Sequence, residues 1–431
     1  MSGTNIILEK VSLVIIGGGP AGLAAALEAK RRGLSDILLI ERDQQLGGIL
    51  NQCIHTGFGL HYFGEELSGP EYADRFSLAF TTAGIACLLE THVLEITPDR
   101  ILTVISPQGI RQIAAGAVIL AMGCRERPRG ALGIPGTRCA GILTAGLAQR
   151  LLNLQGLMPG HSVVILGSGD IGLIMARRLT LEGAKVEAVV ELMPYSSGLT
   201  RNVVQCLQDY EIPLLLSHTV VETHGRERLT GVTIAPVHPQ SQKPDLAQAR
   251  FIACDTLLLS VGLIPENELS LGAGVVLDPA TRGPRVDQSL GTSQPGIFAC
   301  GNVLHVHDLV DDVSREAEQA ARSAVAFLNE TDSPGRPCEP SSLLPVLAGP
   351  GIRSVVPQLI ARDRTPETIR LAFRPARVYR AASICLRDSQ GQLVLKSRRR
   401  ILTPGEESRL EIPAGHWPAV TAGHWQLSIE E

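Results

Sequence analysis

Three glycines near the amino terminus have the spacing of a loop that holds a pyrophosphate. Gly17, Gly19 and Gly22 form the pattern G-x-G-x-x-G directly after an apolar run at 11–16. In such a loop the first glycine permits a tight turn, the second lets the backbone approach a pyrophosphate, and the third lets a helix pack on a strand. Glu41 ends the next apolar run, 19 residues after Gly22, as expected for a carboxylate that binds a ribose. The stretch therefore predicts a dinucleotide site.

The same arrangement occurs again in the middle of the chain. Gly167, Gly169 and Gly172 follow an apolar run at 161–166, and Glu191 lies 19 residues after Gly172. Two such loops in one chain are far more specific than either alone. They predict two separate dinucleotide-binding folds.

Four further side chains could take part in proton or electron transfer. Cys53 could be a redox thiol, and the alternative is a small buried side chain. His55 could exchange a proton with a cofactor, or it could be a loop histidine bonded to backbone. His305 and His307, followed by Asp308, superficially resemble a metal site. Their position before a helix favours contact with cofactor or substrate, with Asp308 as the helix cap, so no metal is expected.

Hydrophobic periodicity indicates the elements that position these residues. Apolar strands are predicted at 11–16, 37–40, 86–89, 93–96, 101–105, 117–121, 161–166, 185–190 and 255–260, and helices after both glycine loops, after a capping box at 68–71, and over 309–328. Residues 331–345 indicate a linker. Alternating apolar residues beyond about 350, with a hairpin turn at 388–391, predict a small antiparallel β-domain of the sandwich type.

The predicted fold class is α/β, with two Rossmann-like dinucleotide-binding domains and a small C-terminal all-β domain. The first dinucleotide domain is expected at 1–135 and 275–332, and the second at 136–274. The linker and β-domain occupy 333–431.

Composition narrows the functional classes. The net charge is −4 and aromatic residues make up only 3%, so neither a polyanionic partner nor base stacking on aromatic side chains is suggested, and no nucleic acid is expected. No apolar run approaches the 18 residues of a membrane span. The nine cysteines are scattered without a C-x-x-C pair, which indicates free thiols in a reducing cytoplasm.

The motifs resemble, in type and order, the two-dinucleotide flavoprotein oxidoreductases related to the pyridine-nucleotide disulfide oxidoreductases. The resemblance covers about 11–330. It rests on both glycine loops with their carboxylates, the strand before residues 121–123, the strand into Gly262 and Pro265, and residues 298–302. The strings GGILNQCIHTGFGLHYFGEELSGPEYADRF and GNVLHVHDLVDDVS resemble a bacterial subgroup. Its members are often paired with a flavin-dependent glycerol-3-phosphate dehydrogenase and a small cysteine-bearing protein.

The resemblance implies FAD on the first fold and NAD(H) on the second. The residues expected at FAD are Gly17, Gly19, Pro20, Ala21, Gly22, Glu41, Arg42, Gly47, Gly48, Ile49, Ala121, Gly123, Gly301 and Asn302. Those expected at the nicotinamide cofactor are Gly167, Gly169, Asp170, Ile171, Gly172, Glu191 and Gly262. The family usually has Asp where Asn302 stands, so weaker FAD binding is expected. Glu191 would repel a 2′-phosphate, which predicts NADH rather than NADPH.

One departure from the family changes the expected chemistry. Disulfide reductases of this family carry two cysteines, separated by four residues, after the Gly-Gly loop. Leu50 and His55 stand at those offsets here, with Cys53 between them. Dithiol exchange is therefore not expected, and electrons must leave the flavin by another route.

Three functional hypotheses follow. The first is electron transfer between FAD, NAD(H) and a partner dehydrogenase or carrier subunit, in a homodimer or hetero-oligomer. The second is a flavin-dependent dehydrogenase or oxidase subunit for an amine, imino acid or polyol. The third is a non-catalytic flavin-bearing scaffold. A basic run, 396–400, could bind an acidic partner or form a solvated edge strand.

Overall fold

In the computed structural model, which describes residues 8–329, 342–362, 368–413 and 423–431, the chain divides into two units. Unit 1 comprises Met1–Cys124 and Pro265–Glu431, and unit 2 is Arg125–Ile264. The predicted middle domain, 136–274, overlaps unit 2. The first part of the predicted linker lies outside the described residues.

Unit 1 begins with the predicted strand, glycine turn and helix. Its amino-terminal elements are β1 (Leu8–Ile16), α1 (Pro20–Arg31), β2 (Ile37–Ile40), β3 (Thr56–Phe58), β4 (Leu67–Ser68), α2 (Gly69–Thr82), β5 (Ala86–Leu88), β6 (His92–Ile96), β7 (Ile101–Ser106) and β8 (Gly109–Leu120), and β9 (Cys124–Glu126) is where the chain passes into unit 2. The strand order is β5-β2-β1-β8-β7-β6. Strand β1 pairs in parallel with both β2 and β8, so its carboxyl end, and the glycine loop, lie at the middle of the sheet.

Unit 2 repeats this plan on a smaller scale. Its elements are β10 (Ile142–Thr144), α3 (Ala145–Gln155), β11 (Ser162–Leu166), α4 (Asp170–Leu181), β12 (Lys185–Val190), α5 (Thr200–Cys206), β13 (Leu214–Leu215), β14 (His218–Gly225), β15 (Leu229–Pro236), β16 (Arg250–Ala253), β17 (Thr256–Leu259) and, where the chain returns to unit 1, β18 (Leu263–Pro265). A parallel sheet has the order β10-β17-β11-β12-β13, and β14, β15 and β16 form a separate antiparallel sheet. Strand β17 is fully buried, and β11 is buried after its first residue, which explains why the sequence shows continuous apolar runs there.

The chain then returns to unit 1 through α6 (Glu268–Gly272), β19 (Ile297–Ala299) and α7 (Val310–Asn329). Strand β19 pairs with β8, and α7 packs against α1. The buried face of α7 carries four alanines, Ala317, Ala320, Ala321 and Ala324, and α1 is buried along most of its length. Small side chains on both helices permit this close packing.

The C-terminal region forms two facing sets of strands. They are β20 (Leu343–Ala348), β21 (Ile352–Val356), β22 (Leu359–Ala361), β23 (Thr368–Pro375), β24 (Tyr379–Arg387), β25 (Leu393–Leu402), β26 (Ser408–Pro413) and β27 (Trp425–Glu430). One sheet has the order β22-β20-β27-β24-β25 and the other β21-β23-β26. Trp425 and Phe373 are buried in their shared core. The antiparallel prediction is wrong for one pair, because β20 and β27 run in parallel.

The fold class is confirmed. Most element ends differ from the prediction by a few residues, but β8 begins at Gly109, eight residues before the predicted start at 117. The capping box before α2 is present: the Ser68 hydroxyl accepts the Glu71 N–H, and the Glu71 carboxylate accepts the Ser68 N–H. The hairpin turn at 388–391 joins β24 to β25, with the Asp388 carboxylate accepting the N–H groups of Gln390 and Gln392.

Candidate functional site

In the first glycine loop, two glycines leave no room for a Cβ atom, and a third has open space where a Cβ atom would be. A Cβ atom at Gly17 would lie 2.4 Å from the carbonyl oxygen of Ala121, and one at Gly22 would lie 1.8 Å from that of Gly17. A Cβ atom at Gly19 would meet nothing within 4 Å. Gly19 also precedes α1, whose start has no side-chain cap, so its first N–H groups can donate to an anion. This geometry fits a pyrophosphate.

Glu41 holds the same loop from the end of β2. Its Oε2 accepts the backbone N–H of Gly18 at 2.6 Å, and its Oε1 accepts that of Asp43 at 2.7 Å. The residue is buried, with 8% of its surface exposed. Two ionised oxygens offer about four acceptor positions, so the carboxylate can stabilise the loop and still accept ribose hydroxyls.

The second loop in unit 2 has the same construction. A Cβ atom at Gly167 would lie 2.0 Å from the carbonyl oxygen of Ser260, and one at Gly172 would lie 2.7 Å from the Cβ of Ser260. At Gly169 the nearest atom would be the Ser260 hydroxyl oxygen, at 3.2 Å. Glu191 accepts the backbone N–H of Ser168 at 2.9 Å and its hydroxyl at 2.5 Å. The two units therefore use the same loop, helix and carboxylate.

Asp170, expected at the nicotinamide cofactor, has structural partners in unit 2. Its Oδ1 accepts the backbone N–H of Leu199 at 2.8 Å and the Asn202 amide at 2.6 Å. Both partners lie at the start of α5. Its neighbour Ile171 is partly buried against the unit 2 core, and Gly262, after β17, has a φ of +96° with open space on its Cβ side.

The Gly47-Gly48 loop, expected at FAD, lies against the first glycine loop. The N–H of Gly47 donates to the carbonyl oxygen of Gly18 at 2.8 Å. A Cβ atom at Gly48 would lie 3.0 Å from the Cα of Gly19. Arg42 is exposed and Ile49 is 61% exposed, so both side chains are open to a ligand.

The residues predicted at 121–123 and 301–302 also come together in unit 1. Ala121 directly follows β8. A Cβ atom at Gly301 would lie 3.0 Å from the Cβ of Ala21 at the start of α1. The Asn302 amide nitrogen donates to the Cys124 sulfur at 3.5 Å. Gly123 has a φ of +72° and no neighbour on its Cβ side. These segments therefore surround the same end of α1.

Cys53 and His55 differ in their surroundings. The Cys53 thiol donates to the carbonyl oxygen of Ile49 at 3.3 Å. Burial raises the pKa of Cys53 to about 12, so it is a neutral thiol at pH 7. His55 is half-buried. Its Nδ1 lies 3.1 Å from the carbonyl oxygen of Thr56, and its ring centroid lies 4.9 Å from that of Phe58. Neither environment activates the side chain.

His305 and His307 lie in a buried group of charged side chains, which we call the His–Glu cluster and which comprises His305, His307, Glu316 and Glu407. His305 Nε2 lies 2.9 Å from Glu316 Oε2, and its Nδ1 lies 3.1 Å from Glu407 Oε2. His307 Nε2 lies 3.3 Å from Glu316 Oε2. All four side chains are at most 15% exposed.

In this cluster the neighbouring charges shift the pKa values in the direction opposite to burial. Burial would lower the pKa of His305, but the carboxylates of Glu316 and Glu407 reverse this effect and raise it to about 10. Burial would raise the pKa of Glu407, but its bond to His305 lowers it to about 2. For Glu316 the pKa is likewise lowered, far below its ordinary value, because both imidazoles outweigh burial. The carboxylates are therefore ionised.

The cluster joins the segment at residues 301–302 to the C-terminal β-domain. Glu316 Oε1 accepts the backbone N–H of Gly301 at 2.7 Å, and the backbone N–H of His307 donates to Asn302 Oδ1 at 3.0 Å. From the other side, Asp308 accepts bonds from Arg374 at 2.5 Å and from the backbone N–H of Glu407 at 2.6 Å. Asp308, predicted to cap the helix, therefore binds the β-domain.

Sequence reasoning missed Glu316, Glu407 and Ser260. Glu316 had a readable signal: it lies three residues after Val313 and four before Ala320, both on the buried face of α7, where a carboxylate needs a partner. Glu407 had none, because it is about one hundred residues from the histidines in the sequence.

Among the helices of the described residues, none has the length and hydrophobicity needed to span a membrane.

Comparison with known proteins identifies one family and several relatives. The profile of the family described as pyridine nucleotide-disulphide oxidoreductase matches residues 11–324. The chain is 29% identical over 286 residues to the HcnB subunit of hydrogen cyanide synthase from Pseudomonas protegens, covering 61% of this chain and 58% of that protein. It is 28% identical over 307 residues to an opine oxidase subunit of Agrobacterium tumefaciens, covering 67% and 60%. The chain thus spans about three fifths of the length of these relatives.

Among solved structures, the fold is similar to thioredoxin reductase from T. acidophilum. The TM-score is 0.62 at 23% sequence identity, and the superposition covers 75% of this chain and 100% of that one. This similarity supports the two-domain dinucleotide-binding architecture.

Proposed function

Because the chain belongs to the pyridine nucleotide-disulphide oxidoreductase family, whose members are FAD-dependent NAD(P)H oxidoreductases, we propose that it transfers a hydride between NAD(H) and FAD without a redox-active disulfide. Electrons then pass to a partner flavoprotein or a small acceptor. The observation that carries this proposal is the repetition of one loop: Glu41 bonds to the N–H of Gly18, and Glu191 to that of Ser168.

In this proposal FAD binds unit 1. The pyrophosphate lies beside Gly19 at the start of α1, and Glu41 accepts the adenosine ribose hydroxyls. Gly48 and Gly301 lie beside the same helix start, close to Gly19 and Ala21 respectively. When bound, FAD supplies a two-electron acceptor whose hydride transfer needs a positioned, dry pocket more than acid–base groups.

NAD(H) binds unit 2, with the pyrophosphate at Gly169 and the ribose at Glu191. Both Glu191 oxygens accept backbone N–H groups, those of Ser168 and Met193, so the side chain is fixed beside the ribose position. The residues after it, Leu192 and Met193, supply no cation for a 2′-phosphate. These features support NADH over NADPH.

Three observations support a route without a dithiol. Positions 50 and 55, where the family's cysteine pair would stand, are Leu50 and His55, and Cys53 is the one cysteine between them. Its thiol donates to a carbonyl oxygen, and its raised pKa disfavours the thiolate that exchange requires. Cys53 thus has the properties of a small buried side chain.

The partner is proposed to be another protein of the same complex. HcnB and the opine oxidase relative are, by name, parts of multi-subunit enzymes. We propose a cytoplasmic hetero-oligomer or homodimer whose electron partner is a dehydrogenase, with flavin-dependent glycerol-3-phosphate dehydrogenase as the first to test. A second candidate function, oxidation of an amine, imino acid or polyol, is favoured by the name of the opine oxidase relative.

Anaerobic mixing distinguishes these functions. NADH should bleach the flavin absorbance of the purified protein within one turnover. Bleaching by an opine, amine or polyol, and not by NADH, would favour the second candidate. No bleaching by either class of reductant would contradict both and leave the scaffold hypothesis.

A further inference from the structure

Strand β25 lies at the edge of the larger sheet of the C-terminal domain and carries the basic run at 396–400. Its one paired neighbour among the described strands is β24, so the backbone N–H and C=O groups along its other edge are open to a further strand. The strand is ten residues long. Leu393 and Ile401, near its two ends, are 49% and 50% exposed. A long edge strand with exposed apolar residues can pair with another chain.

The cations of β25 are divided between its two faces. Successive side chains of a strand point to opposite faces, so Lys396, Arg398 and Arg400, which are all exposed, share one face. Arg399 lies on the other face. Its partner across the strand pair is Ala382, a residue of the domain core, so this second face is directed toward the space between the two sheets.

A groove of about 400 Å³ lies between β25 and β26, the edge strands of the two sheets. The guanidinium of Arg399 crosses this groove and donates to the carbonyl oxygen of Arg409 in β26 at 3.1 Å. It also donates to the Ser397 hydroxyl and to the carbonyl oxygen of Arg398. Arginine has five N–H donors, so two remain for a chain that binds in the groove.

The three arginines of β25 have no carboxylate within 4.0 Å among the described residues. Lys396, by contrast, lies 3.9 Å from Glu430. Five other arginines of the domain each lie within 4.0 Å of a carboxylate: Arg370, Arg374, Arg377, Arg387 and Arg409. Residues 350–431 contain 13 basic and 8 acidic residues, a net charge of +5, whereas the whole chain has a net charge of −4. Positive charge is therefore concentrated on this edge of the domain.

We propose that β25 binds an extended acidic segment of a partner protein, which adds to the sheet as a further strand. Carboxylates at alternate positions of that segment face Lys396, Arg398 and Arg400, and the side chains between them enter the groove beside Arg399. Opposite charges directly across two strands stabilise the pairing. Backbone hydrogen bonds provide affinity, and the alternate side chains provide specificity. The proposal is independent of the proposed hydride transfer, because it uses no residue of either glycine loop.

Two other occupants fit this edge less well. A second copy of this chain, paired through β25 and antiparallel about its centre, would place Arg398 opposite Arg400, and like charges at such positions destabilise pairing. A nucleic acid would satisfy the arginines but has no peptide backbone to extend the sheet. Charged edge strands also prevent aggregation, and that role alone predicts no binding of an acidic strand.

Fluorescence anisotropy with the purified full-length protein tests the site. The probe is a fluorescein-labelled peptide as long as β25, in which glutamate alternates with threonine, a β-branched residue that favours strands. One peptide should bind per protein, and binding should weaken as salt increases. Arg398→Glu and Arg400→Glu should each weaken binding about 10-fold, because an attractive cross-strand pair becomes repulsive. The matched control is Arg353→Glu, at an exposed arginine of β21 in the other sheet, which should leave binding unchanged.

A second peptide, of the same composition but with its glutamates in one block, separates strand pairing from general attraction between charges. It should bind about 10-fold more weakly, because fewer of its carboxylates face the cations of β25. Equal binding of the two peptides, or equally tight binding of a single-stranded oligonucleotide of the same charge, would overturn the proposal.

Absence of saturable binding up to about 1 mM peptide would also overturn the proposal, as would equal affinity in wild type and the two β25 variants. Both substituted arginines are exposed, and circular dichroism shows that each variant is folded, so either variant alone decides the question. Flavin bleaching by NADH, measured on the same samples, reports the proposed function separately.

Discussion

The carboxylate of Glu41 accepts the backbone N–H of Gly18 at 2.6 Å, across 23 residues of sequence. In unit 2, Glu191 and Ser168 are joined in the same way at 2.9 Å, also across 23 residues. Each carboxylate therefore fixes the glycine loop that precedes it and keeps acceptor positions for a ligand. This repeated bond is the structural basis of the two-cofactor proposal.

The two carboxylates give a matched pair of variants. Glu41→Gln should weaken FAD binding about 10- to 100-fold, since one charge-assisted acceptor is lost, and should leave NADH binding unchanged. Glu191→Gln should have the reverse effect. Fluorescence titrations measure the dissociation constants for FAD and for NADH. If a variant weakened binding of the cofactor assigned to the other fold, the assignment of the two folds would be contradicted.

Two glycines of one loop should respond differently to substitution. Gly22→Ala places a Cβ atom 1.8 Å from the Gly17 carbonyl oxygen, so it should lower the free energy of unfolding by at least about 3 kcal/mol. Gly19→Val meets open space, and the Gly19 φ of −77° suits valine. That variant should fold without FAD. Thermal unfolding and flavin absorbance separate the two; yellow, stable Gly19→Val protein would count against the pyrophosphate site.

The expected preference for NADH over NADPH follows from the carboxylate of Glu191. The kcat/KM for flavin reduction should be more than tenfold higher with NADH than with NADPH, because a 2′-phosphate would face a like charge. Glu191→Gln should narrow this ratio. Steady-state kinetics with both nucleotides measure this ratio of kcat/KM values. A tenfold preference for NADPH would contradict the predicted preference for NADH.

Cys53 should be unreactive at neutral pH. Its folded pKa is raised to about 12 by burial, whereas an ordinary thiol titrates near 8.5. The thiolate fraction at pH 8 is then roughly one in 10,000, and it increases only as pH approaches 12. Alkylation mapped by mass spectrometry should leave Cys53 unlabelled from pH 7 to pH 9 and label it in denaturant. Rapid labelling of the folded protein would restore the redox-thiol hypothesis.

Local sequence patterns predicted the parts of the site that lie close together in the chain. The strand, glycine turn, helix and carboxylate of β1 to Glu41 occupy about thirty residues, and each step has its own residue signal. The long-range contacts had no such signal. Gln288 exchanges two hydrogen bonds with the backbone of Ala361, at 2.9 and 2.7 Å, and His305 meets Glu407. Alternation likewise predicts strands without their direction, which is why the parallel β20–β27 pair was missed.

The central claim is that electrons enter FAD from NADH with no cysteine pair to store them. Anaerobic titration of the purified, FAD-loaded protein with NADH tests it most directly, with flavin absorbance followed to its endpoint. We predict complete bleaching at one equivalent of NADH per FAD, unchanged after alkylation of accessible thiols. An endpoint at two equivalents, with the second lost on alkylation, would reveal a dithiol reservoir and contradict the account, as would a flavin that NADH does not bleach.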